Sequence, residues 1–280
     1  LLQKGDKAGA RKAMEQALQI DGNYFPAVGV LAVIDNAEKR PDEARARLEA
    51  AIKQQPANIQ AYQLLLELRA AHGADKAELT GILRRAVDGA PNNPVPRQML
   101  AEHYLRTGEP KEALTVAQNA TAALPDNMQL LDVLGRAQLA NGEHNQAQSS
   151  FNRMAALQPK SPLPYLRMSS AHLVAGDQAA AAEKLRKALE ITPNLLQAQQ
   201  GLASLAMAAN KPDEALTIAR TVQKQRPKEA AGYILEGEIQ AAGKAWDKTI
   251  DAYRAGLKQV DNPELAVRLH SALQSAGKKA

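Results

Sequence analysis

The chain contains no cysteine. That excludes disulfides, thiolate catalysis and cysteine metal sites, and it suits either the cytosol or the periplasm. Aromatic residues make up only 3% of the sequence, with a single tryptophan. No apolar run approaches the roughly 18 residues of a membrane-spanning helix, so no transmembrane segment is expected. Gly/Ser-rich or Pro-rich linkers and low-complexity tails are missing. So are the short catalytic signatures: no HExxH, no GxSxG, no GxxxxGK[ST], and no GxGxxG after a strand. The histidines (His72, His103, His144, His172 and His270) are scattered without ligand spacing and are read as surface or packing residues. The acid pairs Asp42–Glu43 and Asp213–Glu214 follow Pro41 and Pro212. Proline suits the first helical position and acids there complement the helix dipole, so these pairs need no catalytic role. No catalytic residue, cofactor or metal is expected.

What the chain does have is a period. Proline recurs every 34 residues, at Pro91, Pro125, Pro159, Pro193 and Pro227. A column of helix-stopping residues runs through Gly5, Gly73, Gly108, Gly142, Gly176, Asn210, Gly243 and Gly277. Five residues after most of these stands alanine: Ala10, Ala113, Ala147, Ala181 and Ala215, with Ala44 in the same register. A second small column is Ala17, Ala51, Ala86, Ala120 and Ala188, and a third is Ala32, Ala101, Gly135, Ser169, Ala203 and Gly237. Small side chains let helices approach closely, so these columns mark helix crossings. Larger apolar residues such as Leu100, Leu134, Phe151, Met168, Leu185, Leu202 and Tyr253 recur between them at three- and four-residue steps, which is one helical face.

These columns resemble the tetratricopeptide repeat (TPR) consensus over essentially the whole chain, with its small residue in the first helix, alanines in the second and proline at the repeat end. The resemblance implies an all-α solenoid, a right-handed superhelix of about sixteen antiparallel helices that presents a long surface rather than enclosing a reaction. Two departures stand out. One extra residue lies near Ala74–Lys76, and the segment around Gly243–Trp246 is read as slipped, with Asp261 where proline is expected. Trp246 falls where such repeats place an aromatic and is read as packing.

Counting helices along the chain gives a half repeat over 1–22, seven full repeats over about 23–261 and a half repeat over 262–280, in one array. Leu1–Lys4 would be the last turn of a helix whose partner runs from about Lys7 to Ile20. Pro263–Ala276 would be a lone first helix, with Leu269 and Leu273 exposed for a missing partner. Both ends fall inside a repeat, so the chain is expected to be a piece of a longer array.

Net charge is +5. Residues 1–140 hold 17 Lys/Arg and 17 Asp/Glu, whereas 141–280 hold 18 and 13. The excess sits on second helices or just after them, at Lys184, Arg186, Lys187, Arg220, Lys224, Arg226 and Lys228. It is read as a solvated outer wall, with an anionic polymer or membrane surface as the alternative partner. Nucleic acid is not expected, because dense basic runs interleaved with stacking aromatics are missing. The concave side is lined by first helices. Its expected partner-binding residues are Gln63, Glu67, Gln98, Glu102, Arg106, Asp132, Arg136, Arg167, Ser170, Gln200, Ser204 and Glu238. Mixed polar residues of alternating sign suit a protein or extended peptide held through hydrogen bonds. The Lys/Asn/Arg set that clamps a C-terminal carboxylate is replaced here by Gln, Glu, Asp and Ser.

Some stretches carry a narrower resemblance. Gln225-Arg-Pro-Lys-Glu-Ala-Ala-Gly-Tyr-Ile-Leu-Glu-Gly-Glu238 and Pro263-Glu-Leu-Ala-Val-Arg-Leu-His270 are similar to the TPR lipoproteins of bacterial PEP-CTERM/exosortase systems. Asn93-Pro-Val-Pro-Arg97 and Ser161-Pro-Leu-Pro-Tyr165 fit the same pattern. This implies a periplasmic, lipid-anchored scaffold in exopolysaccharide or protein export. The other readings are the non-catalytic arm of a larger enzyme, such as a glycosyltransferase, and a cytosolic assembly factor.

Overall fold

The computed structural model describes residues 6–278, which form sixteen α-helices with no strand among them. The helix turn expected over Leu1–Lys4, and Gly5 at the head of the stop column, lie outside the described residues. The chain divides into two compact units, Leu1–Ala147 and Gln148–Ala280. The first holds α1 (Lys7–Ile20), α2 (Phe25–Ala37), α3 (Pro41–Gln54), α4 (Ile59–Ala71), α5 (Lys76–Gly89), α6 (Pro94–Arg106), α7 (Pro110–Ala123) and α8 (Met128–Ala140). Helix α9 (His144–Leu157) runs through the boundary. The second unit holds α10 (Leu163–Val174), α11 (Gln178–Ile191), α12 (Leu196–Ala208), α13 (Pro212–Gln225), α14 (Ala231–Ala242), α15 (Trp246–Gln259) and α16 (Pro263–Ser275).

One turn is used eight times. Its central residue takes a left-handed backbone at Lys39, Gly73, Gly108, Gly142, Gly176, Asn210, Lys244 and Gly277, with φ between 55° and 80°. The next N–H then reaches back to a carbonyl in the last helical turn, as in Glu109 N to Tyr104 O at 2.8 Å or Lys211 N to Ala206 O at 2.8 Å. This satisfies carbonyls that the helix end leaves open. The turns correct one column. Lys244 takes the left-handed conformation in the seventh repeat, whereas Gly243 has φ −85° and caps α14. The Gly243–Trp246 segment is therefore in step, since Lys244 follows Asn210 by 34 residues. The extra residue after Gly73 is real: α5 begins three residues past its turn glycine, whereas α7 begins two past Gly108. Allowing for that residue, Pro56 joins the proline column, two residues beyond α3 as Pro91 is beyond α5.

Alanine columns lie where helices cross. Ala44, Ala113, Ala147, Ala181 and Ala215 are fully buried, as are Ala86, Ala101, Ala188 and Ala203. Ala17 and Ala51 are only half-buried. Apolar side chains fill the spaces between, with Leu48, Tyr62 and Leu65 in one cluster and Tyr233, Ile250, Tyr253 and Leu265 in another. Burial corrects the reading of α16. Leu273 is buried and Leu269 packs against the same cluster, so the apolar side chain α16 exposes is Val267.

Polar groups tie α1, α2 and α3 together. Asp35, on α2, is fully buried and meets three guanidinium groups: Arg11 at 2.7 Å, Arg47 at 3.0 Å and Arg40 at 3.3 Å. Burial alone would push its carboxyl up. The hydrogen bonds from Arg11 and Arg47 outweigh that and hold it below the ordinary carboxylate value.

Candidate functional site

The first helix of each pair in unit 1 is α2, α4, α6 or α8. Helix α2 packs on α4, and α6 on α8, while α4 and α6 stand farther apart. Between them lies a cleft of about 580 Å³, lined by α4, α5, α6 and Arg136 of α8. The one turn that carries an extra residue, Gly73–Ala74–Asp75, joins the two helices whose Ala70 and Leu79 line the cleft. A longer turn lets α4 diverge from α5, and α5 forms the cleft floor through Leu79 and Leu83. The inserted residue thus goes with a looser packing of α4 on α5 than in the neighbouring helix pairs, α2 with α3 and α6 with α7.

Five expected residues line this cleft: Gln63, Glu67, Glu102, Arg106 and Arg136. Gln98 supports it by donating to Glu102 Oε1 at 3.2 Å. Arg136 lies 3.7 Å from Glu102 and 3.6 Å from Asp132, so its charge is shared between two carboxylates. Asp132 is itself buried, which corrects its expected exposure: it holds Arg136 from behind rather than facing the groove. The remaining expected residues belong to unit 2. Arg167 and Ser170 stand on α10, Gln200 and Ser204 on α12 and Glu238 on α14. Ser170, Gln200, Ser204 and Glu238 are exposed, and Arg167 is half-buried. Glu238 is held by Arg268 at 2.6 Å.

Sequence reasoning did not place Leu66, Met99, His103 or the α5 leucines in the cleft wall. The inserted residue was the available signal, because it marks the helix pair, α4 and α5, that packs more loosely than its neighbours. A second, smaller notch of about 230 Å³ adjoins the cleft between α2 and α4, lined by Val33, Asn36, Leu64, Leu68 and Ala71 among others. Glu67 lines both.

His103 is buried, as a packing histidine should be. Arg106 Nη2 lies 3.2 Å from its Nδ1, and a guanidinium can only donate, so Nδ1 carries no proton. The Nε2–H then donates to Thr80 Oγ1 at 3.0 Å, and the Thr80 hydroxyl donates to the Lys76 carbonyl at 2.7 Å. Desolvation, helped by Arg106 and Lys76 and opposed by Glu109, lowers the His103 pKa below 6.5. A lowered histidine pKa means the folded chain binds fewer protons than the unfolded one. Stability is therefore complete above pH 6.5 and falls as pH drops below it. We expect amide exchange in α5 and α6 to quicken between pH 7 and pH 5.5, after correction for intrinsic rates. His103→Gln should flatten that response, and an unchanged response would refute the assignment.

Among the described residues, no group of three or more His, Cys, Asp or Glu could hold a metal, and no helix is long and apolar enough to cross a membrane. The second-helix cations of unit 2 are largely engaged. Lys184 pairs with Glu183, Lys187 with Glu190, Arg220 with Glu236 and Arg226 with Glu229.

Comparison with curated proteins gives no match. The fold is similar to a tetratricopeptide repeat protein from Parabacteroides merdae ATCC 43184, with TM-score 0.60 and 18% identity over 89% of this chain and 98% of that one. It is similar to yeast Tom70, with TM-score 0.68 and 14% identity over 97% of this chain but 59% of that chain. PilW, a type IV pilus biogenesis factor, gives TM-score 0.56 and 18% identity over 73% of this chain and 94% of that one. At such identities the likeness is one of fold alone. Two family models of the tetratricopeptide repeat match the sequence itself, one over residues 1–68 and 172–239 and the other over 99–162 and 133–195. With the repeated left-handed turn, the buried alanine columns and these matches together, the chain belongs to the tetratricopeptide repeat family.

Proposed function

We propose that this chain is a non-catalytic interaction scaffold that holds an extended segment of a partner protein in the unit 1 cleft. One observation carries the reading: the only turn among the eight with an extra residue sits beside a cleft whose walls are polar and charged over an apolar floor. An extended peptide exposes backbone N–H and C=O groups as well as side chains. Gln63, Glu102, Arg106 and Arg136 supply donors and acceptors for both. The tetratricopeptide family generally serves such roles. The narrower part of the proposal is the setting. The stretches around Pro227 and Pro263 favour a lipid-anchored place at the cell envelope, beside exopolysaccharide or protein export machinery.

The test uses a peptide panel drawn from envelope and cytosolic proteins of the host, read by fluorescence anisotropy. Deleting Ala74 restores the regular 34-residue step and should remove binding while far-ultraviolet circular dichroism stays helical. Should that deletion impair folding, Glu102→Lys with Arg106→Glu serves the same end on exposed or half-exposed side chains. Lys184→Glu with Lys187→Glu should leave peptide binding unchanged. Binding that survives both cleft variants, or that disappears with the second-helix pair, overturns the proposal. Binding confined to cytosolic peptides would overturn the envelope setting alone.

A further inference from the structure

Glu102, Asp132 and Arg136 balance one another along the unit 1 cleft. Glu102 accepts from Gln98 and faces Arg136, and Arg136 also faces Asp132. Arg106 donates to the neutral His103 and keeps its positive charge, but it does not line the notch, where Glu67 is the only charged residue. Glu67 differs. It is exposed, and its carboxylate has no hydrogen bond or ion pair among the described residues. It also stands on the ridge between the two hollows, lining the 580 Å³ cleft on one side and the 230 Å³ notch on the other. The notch is the more apolar place: Ala32, Val33, Leu48, Leu64, Leu68 and Ala71 form most of its wall. Val33 is 51% exposed there, so its side chain is open to a partner.

Resting on the scaffold reading above, we propose that the cleft selects a segment in which an apolar side chain enters the Val33–Leu64 notch and a neighbouring lysine or arginine pairs with Glu67. The chemistry follows from complementarity. An unpaired carboxylate beside an apolar hollow attracts a cation attached to apolar surface, and it repels an acidic segment. A lysine or arginine stem can lie along apolar wall while its charged head meets Glu67. The occupant is thus a basic, apolar stretch of a partner protein, not an anionic polymer.

The probe is a set of acetylated and amidated ten-residue peptides on a Gly/Ser background, carrying Leu beside Lys, Leu beside Glu, or Ala beside Lys. Anisotropy in low salt should show the Leu–Lys peptide binding at least tenfold more tightly than the Leu–Glu peptide. Loss of one exposed ion pair changes affinity by about fivefold or less, so Glu67→Gln should weaken the Leu–Lys peptide by that much. Glu67→Lys should invert the preference toward Leu–Glu, which a merely structural role would not do. Val33→Asp should cost the Leu–Lys peptide its advantage over Ala–Lys. Equal binding of all peptides by the wild-type chain, or an order unchanged in Glu67→Lys, overturns this inference. The scaffold reading would still stand if deletion of Ala74 removed that binding, and it would fall if the deletion left it intact.

Discussion

Asp35→Ala is expected to destabilise the start of the first unit by about 2–4 kcal/mol. The carboxylate is fully buried and balances Arg11, Arg40 and Arg47, which come from α1, the α2–α3 turn and α3. Removing it leaves Arg47 without its carboxylate over an empty space, while Arg11 keeps Glu38 and Arg40 keeps Glu38 and Glu43. Deleting one partner of a buried ion pair costs about 3–5 kcal/mol. Here the arginine side chains keep 21–37% of their exposure, so water relieves part of the loss. In a solenoid the effect should be regional, because each repeat rests on its neighbours. Amide exchange at Leu31 and Ile34 should accelerate strongly in the variant, while Leu235 and Ile239 in the second unit should not change. The pH dependence has a definite sign. The folded carboxyl titrates below its ordinary value, so its contribution is present at neutral pH and vanishes as pH falls through that depressed value. Equal protection at Leu31 in wild type and variant would show that the cluster contributes nothing.

Gly237→Val should cost about 3 kcal/mol, at the upper end of the overpacking range. A Cβ at Gly237 would lie 2.1 Å from Tyr253 Cε1 and 2.5 Å from its Cζ. Tyr253 cannot yield readily, because it is buried beside Ile250, Leu265 and Tyr233. The control is Gly81→Ala. Gly81 lies on the exposed face of α5 with nothing within 4 Å of an added Cβ. Alanine there should stabilise by up to about 1 kcal/mol through helix propensity alone. The two substitutions should thus move the urea midpoint in opposite directions. A Gly237→Val midpoint at or above that of wild type would mean that the α14–α15 crossing is looser than its geometry indicates.

The crossing at Gly237 was legible in the sequence, since Gly237 continues the small-residue column that begins at Ala32. The helices were legible for the same reason, and the run from Lys7 to Ile20 matches α1 at both ends. Periodicity reports what repeats, and it was misled where two candidates adjoin. Gly243 looked like the turn residue, yet Lys244 carries the positive φ because the repeat length there is the regular one. Periodicity is also blind to what occurs once. Asp35 gains its role from residues 11, 40 and 47, which converge only after three helices pack. Asp132 shared the register of exposed first-helix positions, but burial turned it into a support for Arg136. The cleft lies between these cases. Its polar residues were readable from helix register, and the extra residue near Ala74 was visible. That α4 packs loosely on α5 there, and that Met99 and His103 join the cleft wall, follows only from the packing.

Methionine methyl spectra test the central claim most directly. The chain has six methionines, and among them Met99 lines the cleft while Met154 is fully buried in α9 and Met168 is buried in α10. With the methyl groups labelled with carbon-13, the Leu–Lys peptide, or whichever panel peptide binds most tightly, is titrated into the wild-type chain. The Met99 signal should shift progressively to saturation while those of Met154 and Met168 stay in place, and deletion of Ala74 should abolish the shift. A peptide that saturates the chain with the Met99 signal unmoved would contradict the account.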